Sequence, residues 1–552
     1  MIILVNFLFK IIVNLNFICY NSLELKIVWH KNDYNRFFVI IKKEENNLRK
    51  IGIVELNTTN IKMIFADVLD NQSFICTEKF CEMTRVASDL AKDELISPQT
   101  IANVGSILKT YKALSVASQI TEIYAIASNE YSIAKNQRSF FEELYSVSGF
   151  RFRILSQEEQ LNNLYLSFIN TLDAPKGLIL CMDGTNVKLL AYNRRNIIDQ
   201  QVVELGAVSL ADKLSANNLP TKEFMQTVVS EFTAKFKKIN WLKTLDEELQ
   251  IVGTGDGFIS LAKLSQKIKH YTFNQVHNYN ITTEDFDKVY QFLSSLEIEK
   301  SKKLRGISNE RADIVACYIC IIKALCDSCK LKSIVVSNNG IAEGVLLGKA
   351  CPLTLEKPIT DVLGYSLDCL NDCYNQANIK NTKNVYELSL ILFKQLKVLH
   401  KLPRTFVKVL RTASYMHDCG KRISSVDFER KGFSVILNSD LYGLSHREQI
   451  LAAFVVASQN LEKFSMTDWV KYKDMFTDAD LEGVRKLAVI VRLATALDAF
   501  GAGKIKDINC DILGDSVIMK TVVDTPAEAE IAEGLKVAGD FVKAFKKHLE
   551  IL

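Results

Sequence analysis

The chain reads as α/β over its first two thirds and helical over its last third, on three observations. Apolar strands alternate with helical stretches from Ile51 to about Leu172. A strand, tight turn, strand motif occurs twice, at 51–68 and 178–192. From about Asp361 onward apolar residues recur at three and four. Alternation of this kind belongs to α/β units, a repeated motif points to a duplicated unit, and a three-and-four period belongs to helices.

The opening stretch MIILVNFLFKIIVNLNFICY is membrane-like, with Lys10 as its only charge. It lacks an early basic region and a small-residue cleavage site, and Asn6, Lys10, Asn14 and Asn16 disfavour a spanning helix of about 20 residues. Residues 1–48 therefore read as an apolar extension, with membrane anchoring as the alternative. IGIVELNTTNIKMIFADV at 51–68 then gives a strand, a polar turn and a second strand. A helix follows from Pro98 to about Ser118, then a strand at 121–127, a helix at 137–149, a strand at 151–155 and a helix from about Gln157. The second unit restarts with LILCMDGTNVKLLAY at 178–192. It continues through a helix at 221–238, a strand ending in IVGTGDGF at 251–258, long helical segments to about Lys330, and the strand-like SIVVSNNGIAEGVLLG at 333–348. In the third region LSLILFKQLKVLHKL and REQILAAFVVASQNL carry the helical period, and VIMKTVV at 517–523 reads as a strand. The divisions are 1–48, 49–172, 173–352 and 353–552, in line with a prior of about 150 residues per domain.

A hydrophobic fraction of 48% with 24% charged residues is that of a globular protein, which excludes disorder over most of the length. Net charge of +4 over 552 residues gives no strong field, so nucleic acid is not an expected partner. Thirteen Cys, with no CxxC pair repeated at zinc spacing, read as reduced core thiols of a cytoplasmic protein.

The turn ELNTTN resembles the opening phosphate loop of an actin-like phosphotransfer fold. Small polar residues between buried strands let backbone N–H groups and hydroxyls approach phosphate, while a carboxylate at the strand end can hold a metal or a water. Glu55, Thr58, Thr59 and Asn60 are the candidates, beside the plain reading of a hairpin turn. From about residue 50 to 552 the order of motifs is similar to that of the exopolyphosphatase and guanosine pentaphosphate phosphohydrolase family. The resemblance implies two actin-like (ribonuclease H-like) ATPase-type α/β domains followed by an all-helical domain related to HD phosphohydrolases. It further implies release of terminal phosphate from polyphosphate or guanosine pentaphosphate, Mg (or Mn) as cofactor, and a homodimer.

That family's loops are altered in this chain. Its opening D-L-G-S-N-S is replaced by ELNTTN, with Glu55 for the Asp and Asn57 for the Gly, whose side chain occupies space a backbone would use. Its S-G-x-E-E-A, in which the second Glu is the general base, meets RILSQEEQLNNLYL. Without a gap Gln160 takes the place of the base; a one-residue slip gives the role to Glu159. Adjacent helical residues point about 100° apart, so only one of the two faces a cleft. Alternatively, Glu158 and Glu159 are an acidic first turn that favours the helix dipole. Its second phosphate loop is matched by CMDGTNVK, where Cys181 replaces a metal-associated Asp and Lys188 a Glu. Asp183 remains as a metal candidate with Glu55, and Gly184, Thr185 and Asn186 as donors. In VGTGDGF, Gly253, Thr254, Gly255 and Gly257 are either a phosphate nest or a turn after a strand. Ser132 and Ala342 stand where the family has Arg.

In SYMHDCGK, His417 and Asp418 match the metal dyad of HD phosphohydrolases, with Asp498 as a third ligand and His400 and His446 nearby. The other reading is a histidine bonded to Asp418 or to a helix end. Lys401, Arg404, Lys408 and Arg411 form either a solvated face or a track for a polyanion. Three functions follow: a phosphohydrolase working through Glu159, a noncatalytic descendant that binds a polyanion or partner, and an HD-type hydrolase working from His417, Asp418 and Asp498.

Overall fold

The computed structural model describes residues 23–29, 37–43, 48–215, 221–245, 249–295, 312–329, 333–353, 357–374, 379–460 and 465–552. The apolar stretch read at residues 1–20 lies outside them. Among the described residues, no helix is long and apolar enough to cross a membrane. Strands β1 (Leu23–Trp29) and β2 (Phe37–Lys43) form an antiparallel hairpin within the expected extension.

Two sheets share one plan. The first orders β5 (Phe74–Met83), β4 (Asn60–Val68), β3 (Arg49–Leu56), β6 (Glu122–Ala127) and β7 (Phe152–Ile154). The second orders β10 (Asn196–Val203), β9 (Val187–Asn193), β8 (Lys176–Met182), β11 (Gln250–Thr254), β13 (Ser333–Val336) and β12 (Tyr279–Thr282). In each, three consecutive strands run antiparallel and two further strands join the first in parallel; β12 is an added antiparallel edge. This is the duplicated actin-like arrangement. β3 and β8 sit centrally and are buried on both faces, which is why they read as unbroken apolar runs. The segment 333–348 is not all strand. It begins as β13, and Gly340 then precedes the helix Ile341–Ala350, its N–H donating to Glu343 Oε2 at 2.7 Å.

Helices Gln157–Ile169 and Ile341–Ala350 cross between the sheets. Gly344 makes the crossing possible, since a Cβ there would lie 2.0 Å from the Asn163 carbonyl oxygen. One hydrophobic cluster runs from Ile51 and Ile53 of the first sheet through Leu164 and Phe168 to Ile179 and Val252 of the second.

The third region packs its helices around Leu392, Leu410, Phe454 and Ile490. It closes on a small sheet in which β15 (Ser516–Val523), the strand expected at 517–523, lies between antiparallel β14 (Ile505–Leu513) and parallel β16 (His548–Ile551). Helices dominate this region, but its end is a strand layer that the three-and-four period does not report. Asp372 accepts from Asn71 and Ser73, His446 Nε2 meets the His277 carbonyl at 2.8 Å, and Lys408 pairs with Asp173, so the region docks on both α/β units.

Candidate functional site

A cleft of about 460 Å³ lies between the two α/β units. Its walls are the first turn (Glu55, Asn57, Thr59, Asn60), the lysines Lys62 and Lys79, Asp183, the start of the helix Asp256–Ile268, and Gly340 with Ile341. Contacts cross it. Asn60 Nδ2 donates to Asp256 Oδ2 at 3.4 Å, Lys62 Nζ pairs with Glu343 Oε1 at 2.5 Å, and the Ala342 N–H donates to Glu55 Oε2 at 3.3 Å.

Glu55 sits at the end of β3, with Asn57 Nδ2 on its other oxygen at 2.9 Å. Burial is the main cause that pushes its carboxyl up to about 7, where Lys62 opposes and Glu343 adds. Glu343 is driven the other way. Against the cost of burial, Lys62 and Lys79 hold it down at about 2. The two carboxylates thus divide into one that shares protons at neutral pH and one that stays ionised.

The second turn repeats the first. Asn57 N–H donates to the Asn60 carbonyl and Asp183 N–H to the Asn186 carbonyl, both at 2.9 Å. Lys62 lies opposite Glu55 in register, and Lys188 opposite Cys181. Here the copies diverge. Lys188 Nζ turns inward, donating to Glu130 Oε1 at 3.0 Å and to Asp183 Oδ2, while Asn186 Nδ2 donates to the same Glu130 oxygen. The Lys188 ammonium, working against burial, holds the Glu130 carboxyl below its usual range.

The expected site residues separate accordingly. Glu55, Thr59, Asn60, Asp183, Thr254 and Gly255 reach the cleft. Thr58 is buried beneath it, its carbonyl accepting from the Ala87 N–H and its hydroxyl oxygen lacking a partner. Gly184, Thr185 and Asn186 do not line the cleft, because their turn is pressed between its neighbours. A Cβ on Gly184 would lie 2.4 Å from Ala87 Cβ, and one on Gly206 would lie 2.2 Å from the Gly184 carbonyl oxygen. Gly253 and Gly257 make room for rings: a Cβ would meet Phe258 at 2.1 Å and Tyr318 at 2.5 Å. Gly255, at φ +91°, is the residue of that loop whose conformation needs glycine, and it caps the helix Asp256–Ile268 at the cleft.

Glu159 takes the structural alternative. Its oxygens receive Arg153 Nη1 at 2.5 Å and the Ser156 N–H at 2.9 Å, closing the capping box of its helix, and it does not line the cleft. Gln160 is fully buried one turn before the cleft residue Leu164, its Nε2 donating to the Leu155 carbonyl at 3.4 Å.

The Mg or Mn ion implied by resemblance does not fit these side chains. Asp183 is held by Lys188, Glu55 lies between Asn57 and the Ala342 N–H, and among the described residues no three His, Cys, Asp or Glu side chains converge as a metal centre. The helical region gives the same answer. His417 Nδ1 donates to the Ser414 carbonyl at 2.8 Å, Asp418 faces Lys421 at 3.8 Å, and Asp498 Oδ1 accepts from the Gly503 N–H at 2.9 Å. His400 and His446 bond backbone carbonyls. Of the basic run, Arg411 pairs with Asp361 at 2.7 Å inside the helical region, and Lys408 pairs with Asp173 where that region docks on the α/β units.

Sequence reasoning missed Glu130, Glu343, Lys62 and Lys79. The repeated hairpin could have shown Lys62 and Lys188 as equivalents, and the spacing of Gly340 and Glu343 is that of a helix start. Nothing local marks Glu130 or Lys79.

Comparison with known proteins supplies a frame for this geometry. The family model described as the Ppx/GppA phosphatase family matches residues 67–351, and the model described as Ppx/GppA phosphatase, domain III, matches residues 369–526. A guanosine-5'-triphosphate,3'-diphosphate pyrophosphatase of Aeromonas salmonicida is 19% identical over 344 residues. That match covers 62% of this chain and 66% of the relative, just under two thirds of its length. Among solved structures, a Ppx/GppA family member from Aquifex aeolicus is 17% identical with a TM-score of 0.46, covering 55% of this chain and 98% of that one. An exopolyphosphatase from Cytophaga hutchinsonii is 15% identical with a TM-score of 0.49, covering 56% of this chain and 99% of that one.

Proposed function

The chain belongs to the Ppx/GppA phosphatase family, and on that premise we propose that it releases terminal phosphate slowly from polyphosphate or guanosine pentaphosphate in the cleft between its α/β units. Glu55 carries the reading. It is a buried carboxylate in the cleft wall whose pKa of about 7 suits proton transfer at neutral pH. Water attacks the terminal phosphorus, the bridging P–O bond breaks, Glu55 takes the proton of the water, and the shortened chain departs. The exposed Lys263 at the rim sets positive charge against the phosphate oxygens, and Lys62 and Lys79 share the single Glu343 carboxylate and so leave a net positive charge in the wall. The name of the Aeromonas relative supports a guanosine polyphosphate; the family supports either substrate.

Slow turnover follows from the altered base. Gln160 cannot accept a proton, and Glu159 is tied to Arg153. The same two residues favour a second reading, a noncatalytic descendant that binds the polyanion or a partner. Phosphate release by the full chain and by Glu55→Gln, with both substrates, decides between them. Release that vanishes in the variant supports the first reading; tripolyphosphate binding without release from either protein supports the second.

A further inference from the structure

Two carboxylates and one ammonium are sealed together behind the cleft: Lys188 is 0% exposed, Glu130 6% and Asp183 8%. The hairpin dictates the arrangement. Register sets Lys188 opposite Cys181, and the turn bond from Asp183 N–H to the Asn186 carbonyl folds Asp183 back over the lysine. Glu130 arrives from the short turn after β6, and Lys188 Nζ lies between the two acids.

Carboxylates buried this closely cannot both stay ionised without a cation. A divalent ion and an ammonium are alternative solutions, and they exclude each other at one place: Nζ fills the position between Glu130 Oε1 and Asp183 Oδ2 that a bridging ion would take, while Glu130 Oε2 is left without a partner. The equivalent lysine of the first hairpin, Lys62, is likewise spent on a carboxylate, Glu343. We propose that Lys188 holds the cation position between Glu130 and Asp183, behind the cleft wall, in place of a divalent metal, so that the chain binds its anionic ligand without one. The statement about ligand rests on the function proposed above; the statement about the cation position is tested on the protein alone.

The test is titration of Mn(II) into the full-length wild type and Lys188→Glu, with free ion followed by EPR and Tm read in parallel. The wild type is expected to show no site tighter than about 1 mM and an unmoved Tm. Lys188→Glu adds a third carboxylate, gains a site at least about 10-fold tighter, and rises in Tm with the metal. A wild type that takes Mn(II) tightly and loses it in Asp183→Asn overturns the proposal, as does a folded Lys188→Glu that gains no site. Should that variant not fold, Lys188→Gln, which leaves two carboxylates without their ammonium, is read the same way, and the wild-type titration still decides. Tripolyphosphate binding by the wild type is expected to be equal in EDTA and in Mg; binding only with Mg overturns the proposal. Absence of binding in both conditions counts against the cleft as the ligand site, while the Mn(II) result continues to judge Lys188.

Discussion

Replacing Glu55 by Gln exchanges a buried carboxyl in the cleft wall for an amide of nearly the same shape. In the folded chain that carboxyl titrates at about 7 instead of the ordinary 4.5, chiefly because it is buried. Between those values the folded state holds a proton that the unfolded state has released, so stability falls as pH rises through the window and levels off above it. At 1.36 kcal/mol per pH unit the full gap corresponds to about 3 kcal/mol. Gln has no such titration. Glu55→Gln is therefore expected to match the wild type near pH 4, to exceed it by about 1 kcal/mol at pH 5, and by about 3 kcal/mol at pH 8. Urea midpoints for the two proteins at pH 5 and pH 8 read this directly. A pH-independent difference, or a variant less stable at pH 8, would refute the reasoning. Stability gained while phosphate release is lost is also what a strained working carboxylate predicts.

Other outcomes follow from the same geometry. Lys188→Met strands two buried carboxylates and should cost about 3–5 kcal/mol in urea unfolding. Glu343 titrates at about 2, below its ordinary 4.5, so it contributes stability above 4.5 that is lost as pH falls towards 2; Glu343→Gln should remove that limb of the acid unfolding curve. Glu159→Ala should cost about 1 kcal/mol through its capping box and leave tripolyphosphate binding intact, as measured by calorimetry. Gly253→Ala should cost about 1–3 kcal/mol by forcing Phe258 aside. Gly255→Ala meets open space and should cost about 1–2 kcal/mol through its positive φ alone, with thermal unfolding comparing the two.

The duplicated sheets were legible because their central strands are buried on both faces and announce themselves as apolar runs, and because the same turn recurs at 57–60 and 183–186. The first turn stands out in the sequence for the same reason, and its Glu55, Thr59 and Asn60 line the cleft. Glycines misled, since glycine serves a close approach to a ring as well as to a phosphate, and at Gly253 and Gly257 the ring is there. Glu159 was ambiguous by nature: a carboxylate three residues after a serine suits a helix start, and Arg153 at a sequence distance of six completes the bond. Glu130 and Lys79 could not be found from sequence, because their partners Lys188 and Glu343 are distant along the chain and only the packing of one α/β unit against the other brings them together.

The cluster that joins Ile51 and Ile53 to Ile179 and Val252 has a consequence for how the molecule comes apart. The boundary near residue 172 divides the sequence but not the apolar interior, so a cut there would give two pieces, each with a raw oily face. The two α/β units should melt in a single cooperative step, with the crossing at Gly344 and Asn163 as its shared keystone.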